Sequence, residues 1–462
     1  MGGAETRIMD LYRHIDREKV QFDFLVHYRR SDAQKADGVG TDTDALYQAR
    51  PQEDFDEEAL SLGARIYVLP RFTGTNLSEY KKACHTLFAQ HHEWAVIEGH
   101  MTSMASVYLP IAKEEAAKAA GAAEDAVRIP VTIAHARSAG VDAGLRGAAT
   151  RIFRRSLPRK CDIMMSCSGP ASVSVFGEKA ARSGKVRIVP NALDLDAFRY
   201  DADAREKARA EYGISGDTLV IGHVGRFDPV KNQAFLAKVG AELKKICRHK
   251  FLFLFVGAGD LQASVREAFE GEGLGDKDWD DKADALSPIP DIAAGAASRD
   301  PIGETCLPPI ADAKGLDFSS GCVPHTRQHA VYVRFTGLLP REKTAEVYQA
   351  FDVFALPSLY EGLPGTVIEA QAAGLPCVIA DTITEEVAVT GLVQRLPLND
   401  PATWARAIAE AAEIPERQPD AAGRARISAD ALERLAGAGY EIRSAARKMQ
   451  EMYLELAVTS VS

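Results

Sequence analysis

Hydrophobic and polar positions along this chain follow two periods. Apolar runs of roughly four to six residues, bounded by Gly, Pro, Asn or Asp, read as buried strands, and longer stretches with apolar residues at helical spacing lie between them. The clearest example is Phe351 to Asp381, FDVFALPSLYEGLPGTVIEAQAAGLPCVIAD. It predicts a strand over Val353–Leu356, a Pro/Gly-punctuated turn, a helix from about Thr366, a stop at Gly374 and a second buried strand over Cys377–Ala380. That is a βαβ unit of a parallel sheet. Its turn carries Glu361 and its first helical turn carries Glu369, so a loop carboxylate and a helix carboxylate can face one crevice beyond the strand's carboxyl end. The same helix start, Thr366-Val367-Ile368-Glu369, also fits a capping box, in which Thr366 and Glu369 only satisfy the helix's free N–H groups.

The alternation recurs in two sets. The first contains an amphipathic helix with Ile8, Met9, Leu11 and Tyr12 on or near its apolar face, then strands over Phe22–His27, Gly63–Leu69, Trp94–Ile97, Val131–Ala134, Ile163–Cys167 and Val186–Val189. Residues 28–55 are polar and read as a mobile loop, Ser78–His91 as a helix, and Ala112–Ala123 as a solvated helix extension. The second set opens at Thr218–Val224 and continues through Phe251–Val256, Tyr332–Thr336, the unit already described and Leu392–Leu396. Between about 270 and 331 the pattern collapses into Asp, Gly, Ala and Pro, which marks an insertion. Ile442, Ala446, Met449 and Tyr453 then repeat at helical spacing in a closing helix over Tyr440–Leu456.

Length turns the two sets into two domains, because 462 residues exceed one ordinary core. A formal charge of −10 argues against a nucleic-acid partner. No run reaches the roughly 18 apolar residues of a membrane span, and no signal-peptide core is present, so a cytoplasmic location is expected. The seven cysteines lack regular spacing and read as reduced thiols. Cys322, His325 and His329 have metal-like spacing near Cys306, but no CxxC knuckle accompanies them, and no metal is assigned. One element runs against the acidic balance: Leu145 to Lys160 places Arg146, Arg151, Arg154, Arg155, Arg159 and Lys160 among Leu145, Ile152, Phe153 and Leu157. It is either a core-packing helix with a solvated face or a peripheral contact with an anionic membrane, at the inner face of the plasma membrane.

Candidate chemistry gathers where strands end. Gly225-Arg226-Phe227-Asp228-Pro229-Val230-Lys231-Asn232 follows a strand: Gly225 permits close backbone approach, and Arg226 and Lys231 bring two cations to one loop at a helix start, which suits a diphosphate. Gly257-Ala258-Gly259-Asp260 follows the next strand, and Glu98-Gly99-His100 and His135-Ala136-Arg137-Ser138 end strands of the first set.

The words GGAE at Gly2–Glu5, GRFxxxKN, VGxG and EGLP with IEAQAAGLP, in this order, resemble the retaining, GT-B-fold glycosyltransferases of family 4, in the branch that builds bacterial capsules and exopolysaccharides. The resemblance spans nearly the whole chain apart from residues 28–55 and the insertion. It implies an α/β architecture of two Rossmann-like doubly wound domains facing a cleft: an acceptor-binding domain over 1–192, a nucleotide-sugar-binding domain over 193–439, and a helix over 440–462 crossing back to the first. It also implies a donor site of Gly225, Arg226, Lys231, Gly257, Leu338, Glu361, Gly365, Thr366, Val367 and Glu369, with Leu338 in a loop that holds the base. Glu361 would hold sugar hydroxyls, Glu369 the ribose, Arg226 and Lys231 the diphosphate, and His100 the sugar or acceptor. Gly2, Gly3, His135 and Arg137 would form the acceptor and phosphate side, with GGAE as a loop. No cofactor or metal is expected, since these cations and helix N–H groups take up the leaving-group charge.

The implied reaction moves a sugar from a nucleotide diphosphate sugar, expected to be a UDP-sugar, to a glycan or lipid-linked acceptor with retention. A nucleotide-sugar epimerase of the same fold and an inactive scaffold are the rivals. The resemblance enters in mid-motif and omits the central first strand, so a start upstream of Met1 is expected. Read alone, M-G-x-x-x-T would be a myristoylation pattern, which the resemblance explains better.

Overall fold

The computed structural model describes residues 3–31, 34, 40, 42–122, 127–137, 144–275, 332–413 and 421–459. Strands β1 (Phe24–Tyr28) and β2 (Ile66–Pro70) pair in parallel as one small sheet. Strands β3 (Val96–Gly99), β4 (Val131–Ala136), β5 (Ile163–Ser166) and β6 (Val186–Ile188) form a second parallel sheet in chain order. Among the described residues no strand joins β1 to β3, the place where a doubly wound sheet seats its opening strand. Helix α1 (Gly3–His14) packs beside β1, with Tyr12 stacked on Phe22 and edge-on to Phe24.

The second half is a six-stranded sheet in the order β12-β11-β10-β7-β8-β9, with neighbouring strands parallel throughout. Its strands are β7 (Leu219–Val224), β8 (Phe251–Val256), β9 (Val333–Phe335), β10 (Val353–Leu356), β11 (Cys377–Ala380) and β12 (Val393–Leu396). Covered on both faces, β7 and β8 are buried along their whole length, which is why β8 reads as the unbroken apolar run FLFLFV. Strand order reverses where β7 meets β10, and the loops leaving those two carboxyl ends lie side by side.

The C-terminal helix, Ile442–Thr459, buries Ile442, Ala446, Met449 and Tyr453. The last three join Leu11, Ile15, Ile133 and Met165 in one cluster, so the end of the chain lies against α1 and the four-stranded sheet. Leu193 anchors its start, donating to Tyr440 O at 2.9 Å and accepting from Ile442 N–H at 3.1 Å.

Four expectations need correction. The GGAE stretch is not a loop from Gly3 onward: α1 already begins at Gly3, while Gly2 lies outside the described residues. Within 28–55 stands a helix, Thr43–Ala49, whose N-cap Asp42 accepts from Ala45 N–H at 2.7 Å and whose Leu46 is buried; its polar face masked that single anchor. Residues 112–122 do extend one helix, Thr102–Ala122, that is largely exposed toward its end, but Ala112 and Ala116 are buried, because small side chains let it pack closely. Strand β4 runs two residues past its expected end, through His135 to Ala136. Residues 276–331, with Cys306, Cys322, His325 and His329, lie outside the described residues.

His223 on β7 gives the fold a pH dependence. It is 1% exposed, donates from Nδ1 to Ala355 O at 2.9 Å, and burial pushes its pKa down to about 3. An unfolded histidine takes up a proton below about pH 6.5, whereas this one stays neutral until about 3, so in that window the unfolded chain binds the extra proton and stability falls as pH falls. The contribution is about 1.4 kcal/mol per pH unit. In urea melts the stability gap between the wild type and His223→Gln should therefore narrow between pH 6 and pH 4; a constant gap would refute the assignment.

Candidate functional site

The loops after β7, β8 and β9 are stitched together through their backbones. Gly225 N–H donates to Val256 O at 2.9 Å, Phe227 N–H to Ala258 O at 3.1 Å and Gly257 N–H to Gly337 O at 2.9 Å. Gly257 has φ +134°, and a Cβ there would strike the Gly225 carbonyl, so glycine is required on both conformational and steric grounds. Arg226 and Leu338 are exposed beside this seam.

At the β7/β10 reversal the two loops are joined by side chains as well. Lys231 Nζ lies 2.5 Å from Glu361 Oε1, and Ser358 Oγ donates to the same oxygen at 2.8 Å. Asn232, at φ +53°, donates from Nδ2 to Pro357 O at 3.2 Å. The next helix, Gly365–Ala372, is called the 365 helix below. Its N-cap is Pro364, which makes no side-chain cap, so Thr366 and Glu369 form no capping box. Pro364 fits this boundary because it has no N–H to leave unsatisfied. Glu369 instead accepts from Arg7 Nη2 at 2.7 Å and from the Tyr348 hydroxyl at 2.9 Å, while Thr366 Oγ1 is buried with no hydrogen-bond partner among the described residues. Gly365, Thr366 and Val367 open this helix, and its leading N–H groups favour an anion.

The first half contributes a buried cluster. Glu98 Oε1 lies 2.6 Å from His135 Nδ1, 3.6 Å from His100 Nε2 and 3.9 Å from Arg137 Nη2, and its other oxygen accepts from Tyr453 at 2.5 Å. Burial alone would raise the Glu98 pKa, but His100, His135 and Arg137 outweigh it and hold the carboxyl well below its ordinary range. Burial, with Arg137 adding to it, pushes His100 down to about 3 and lowers His135. His135 is fully buried inside β4 and does not emerge as a loop ligand; the longer strand is the reason. His100 keeps 24% of its side-chain surface, and Arg137 bonds Asn191 Oδ1 at 2.9 Å. The Glu98, His100 and His135 ligand atoms lie within 4.8 Å of one another, close enough to hold a metal ion, but the adjacent Arg137 already supplies a positive charge.

Lys231 and Glu361 thus meet at the strand reversal, with Gly225 and Arg226 in the same loop as Lys231, Gly257 and Leu338 in the adjoining loops and Glu369 on the 365 helix. His100 and Arg137 meet in the other half. Gly3 lies in α1, and Ser138 is outside the described residues. Arg7, Tyr348 and Ser358 escaped the sequence reading, which named Glu98 at a strand end without a role and Tyr453 only as an apolar helix position.

Comparison with known proteins follows this geometry. The family described as Glycosyl transferases group 1 matches residues 321–413. A Bacillus subtilis (strain 168) protein named "Putative glycosyltransferase EpsF" is 30% identical over 416 residues, covering 89% of this chain and 85% of that protein. The chain belongs to the group 1 glycosyltransferases. A D-inositol 3-phosphate glycosyltransferase of Corynebacterium jeikeium (strain K411) is 28% identical over 261 residues, 56% of this chain and 51% of that protein. Among solved structures, Anabaena HepE in complex with UDP and glucose aligns with a TM-score of 0.58 at 14% identity, over 93% of this chain and 98% of that one. Sucrose-phosphate synthase from Thermosynechococcus elongatus aligns at 0.57 and 15% identity, over 95% and 100%. The fold of this glycosyltransferase is GT-B, as the resemblance implied.

The seam between the loops can be tested without substrate. Gly257→Ala adds a Cβ at positive φ against the Gly225 carbonyl and should cost this glycosyltransferase about 2 kcal/mol or more. Denaturant melts decide it: an unchanged midpoint would show that the loops separate freely.

Proposed function

We propose that this glycosyltransferase moves a sugar from a UDP-sugar to a glycan or lipid-linked glycan in surface polysaccharide assembly, as a retaining, family 4 enzyme. The observation carrying the reading is the placement of Glu361, paired with Lys231 at the strand reversal, close along the chain to Glu369 and to the N-terminus of the 365 helix, which has no side-chain cap. Two carboxylates bracketing an anion-attracting helix start suit a ligand with hydroxyls at both ends and a diphosphate between them.

In this reading Glu361 accepts from sugar hydroxyls and Glu369 from the ribose. The bond between the anomeric carbon and the β-phosphate oxygen breaks with its electron pair on that oxygen. Arg226, Lys231 and the N–H groups of Thr366 and Val367 stabilise the charge that develops, and the buried Thr366 hydroxyl has a free bond to give. The acceptor oxygen forms the new bond, and its proton leaves with the nucleoside diphosphate. No metal is required in this scheme. The name of the Escherichia coli UDP-Gal:alpha-D-GlcNAc-diphosphoundecaprenol alpha-1,3-galactosyltransferase, 20% identical over 201 residues, supports the donor and acceptor classes.

Substitution separates the roles. Glu369→Gln should weaken UDP binding by about tenfold, since a charge-assisted bond to ribose is lost, and should lower the melting temperature through loss of the Arg7 pair while unfolding stays cooperative. Glu361→Gln should leave UDP affinity intact and lower the transfer rate, measured in EDTA with a panel of UDP-sugars. Wild-type affinity and rate in both variants would remove the support for this site.

We also propose a peripheral membrane contact through the helix Gly144–Ser156 and the turn after it. Arg151, Arg155 and Arg159 are exposed there beside Ile152, which is 72% exposed, whereas Arg154 is turned onto Thr102 Oγ1 at 3.0 Å. Among the described residues no helix is long and apolar enough to cross a membrane. Basic groups at an anionic surface contribute about 1 kcal/mol each. The wild type should co-sediment with phosphatidylglycerol vesicles and the Arg151→Glu/Arg155→Glu variant should not; equal binding would exclude this helix.

A further inference from the structure

We propose that Arg7 is a donor-exchanged side chain: without donor it neutralises Glu369 from across the cleft, and when ribose hydroxyls take Glu369 it turns onto the diphosphate. The inference rests on the reading of Glu369 and the 365 helix given above.

Arg7 belongs to α1 in the first half, yet its Nη2 lies 2.7 Å from Glu369 Oε1, and each of the two side chains is only 11% exposed. The same guanidinium presses on the first residue of the 365 helix, where a Cβ on Gly365 would strike Arg7 Nη2. One cation therefore touches both features assigned to the ligand, the ribose carboxylate and the helix start facing the diphosphate.

Its other contact lets it leave. Arg7 Nη1 bonds Asp10 Oδ2 at 3.3 Å, and Asp10 also pairs with Arg13 at 2.9 Å and with Arg341, so departure of Arg7 leaves that carboxylate neutralised. Glu369 is less well supplied: without Arg7 it keeps the Tyr348 hydroxyl on Oε2 but no cation at Oε1. Among the described residues Arg7 is the one cation hydrogen-bonded to this carboxylate, with Arg341 acting on it only through space, so stripping Arg7 away is costly unless new donors arrive, and two ribose hydroxyls are such donors. The freed guanidinium then stands at the helix start, where its planar fork can span two phosphate oxygens.

The consequence is selectivity. A nucleoside must break the Arg7–Glu369 pair and offers the guanidinium nothing in return, whereas a nucleoside diphosphate breaks the same pair and recaptures Arg7. Arg7 thus opposes uridine and favours UDP.

Calorimetric titration of the full chain with uridine and with UDP tests this on the wild type, Arg7→Met, Arg7→Lys and Glu369→Gln, each first checked by thermal melting. Arg7→Met should bind UDP about tenfold more weakly and uridine more tightly, and Arg7→Lys should shift the UDP-to-uridine ratio less in the same direction. If Arg7→Met does not melt cooperatively, the Arg7→Lys ratio decides, and an unchanged ratio there overturns the proposal. An unchanged ratio in Arg7→Met, with both ligands weakened in Glu369→Gln, overturns the role of Arg7 and leaves the donor site standing. Unchanged binding of both ligands in Glu369→Gln overturns the site reading and the Arg7 proposal with it.

Discussion

Asp10 and Glu369 lie between the two halves of the molecule at 3% and 8% exposure, and an ionised carboxylate so far from water needs cations close by. Each finds one on the opposite half: Arg7 reaches forward to Glu369, and Arg341 reaches back to Asp10. The exchange is reciprocal but unequal: if the halves rotated apart, Glu369 would lose Arg7, whereas Asp10 would lose Arg341 and keep Arg7 and Arg13 of its own helix. Further backbone contacts follow the same seam, with Gly169 N–H donating to Glu386 at 3.0 Å and Ser168 Oγ to Gly362 O at 3.2 Å. The second of these lands beside Glu361, which ties the posture of the halves to the geometry of the candidate site.

The site occurs where it does because of how the six-stranded sheet is covered. With both faces of β7 and β8 buried, the strand carboxyl ends are left as the exposed edge of the sheet's chemistry, and the order reversal at β7 and β10 opens a crevice between two loops. Glycines at 225 and 257 seat the β7 loop against the β8 loop by backbone contact, and on its other side Leu359 N–H donates to Val230 O at 2.8 Å, so Lys231 on the β7 loop reaches Glu361 on the β10 loop. Held by Lys231 and Ser358 together, the Glu361 carboxylate has little rotational freedom left, and a ligand meets it already oriented.

Elements whose signal is local were legible in the sequence. The strand FLFLFV lies where its apolar run places it, and Ile442, Ala446, Met449 and Tyr453 are all buried on one face of the last helix, as their spacing predicts. The loop ending β7 and the turn before the 365 helix were legible because Gly and Pro punctuate them. Pairings across the chain were not: Arg7 and Glu369 are 362 residues apart, and an arginine on an amphipathic helix looks the same whether it faces solvent or a carboxylate. The capping box failed for a related reason, since Thr-x-x-Glu spacing is identical for a cap and for two residues facing a cleft, and only Pro364 at the boundary separates them.

The cluster around Glu98 carries the same dependence on distant chain into the chemistry of the first half. Its carboxylate is held by Tyr453 from the C-terminal helix, whose hydroxyl burial and the nearby Glu98 charge keep protonated, so the hydroxyl can only donate. Glu98 and Arg137 then cancel in charge, and both histidines remain neutral at pH 7. Arg137 Nε points at His100 Nδ1 from 3.4 Å, which makes Nδ1 the acceptor and puts the proton on Nε2, toward Glu98. A neutral imidazole fixed in that tautomer is a poor proton donor to a departing phosphate and a good hydrogen-bonding group for a hydroxyl. In the proposed transfer such a group would suit holding a sugar or acceptor hydroxyl, leaving the leaving-group charge to the cations and helix N–H groups of the other half.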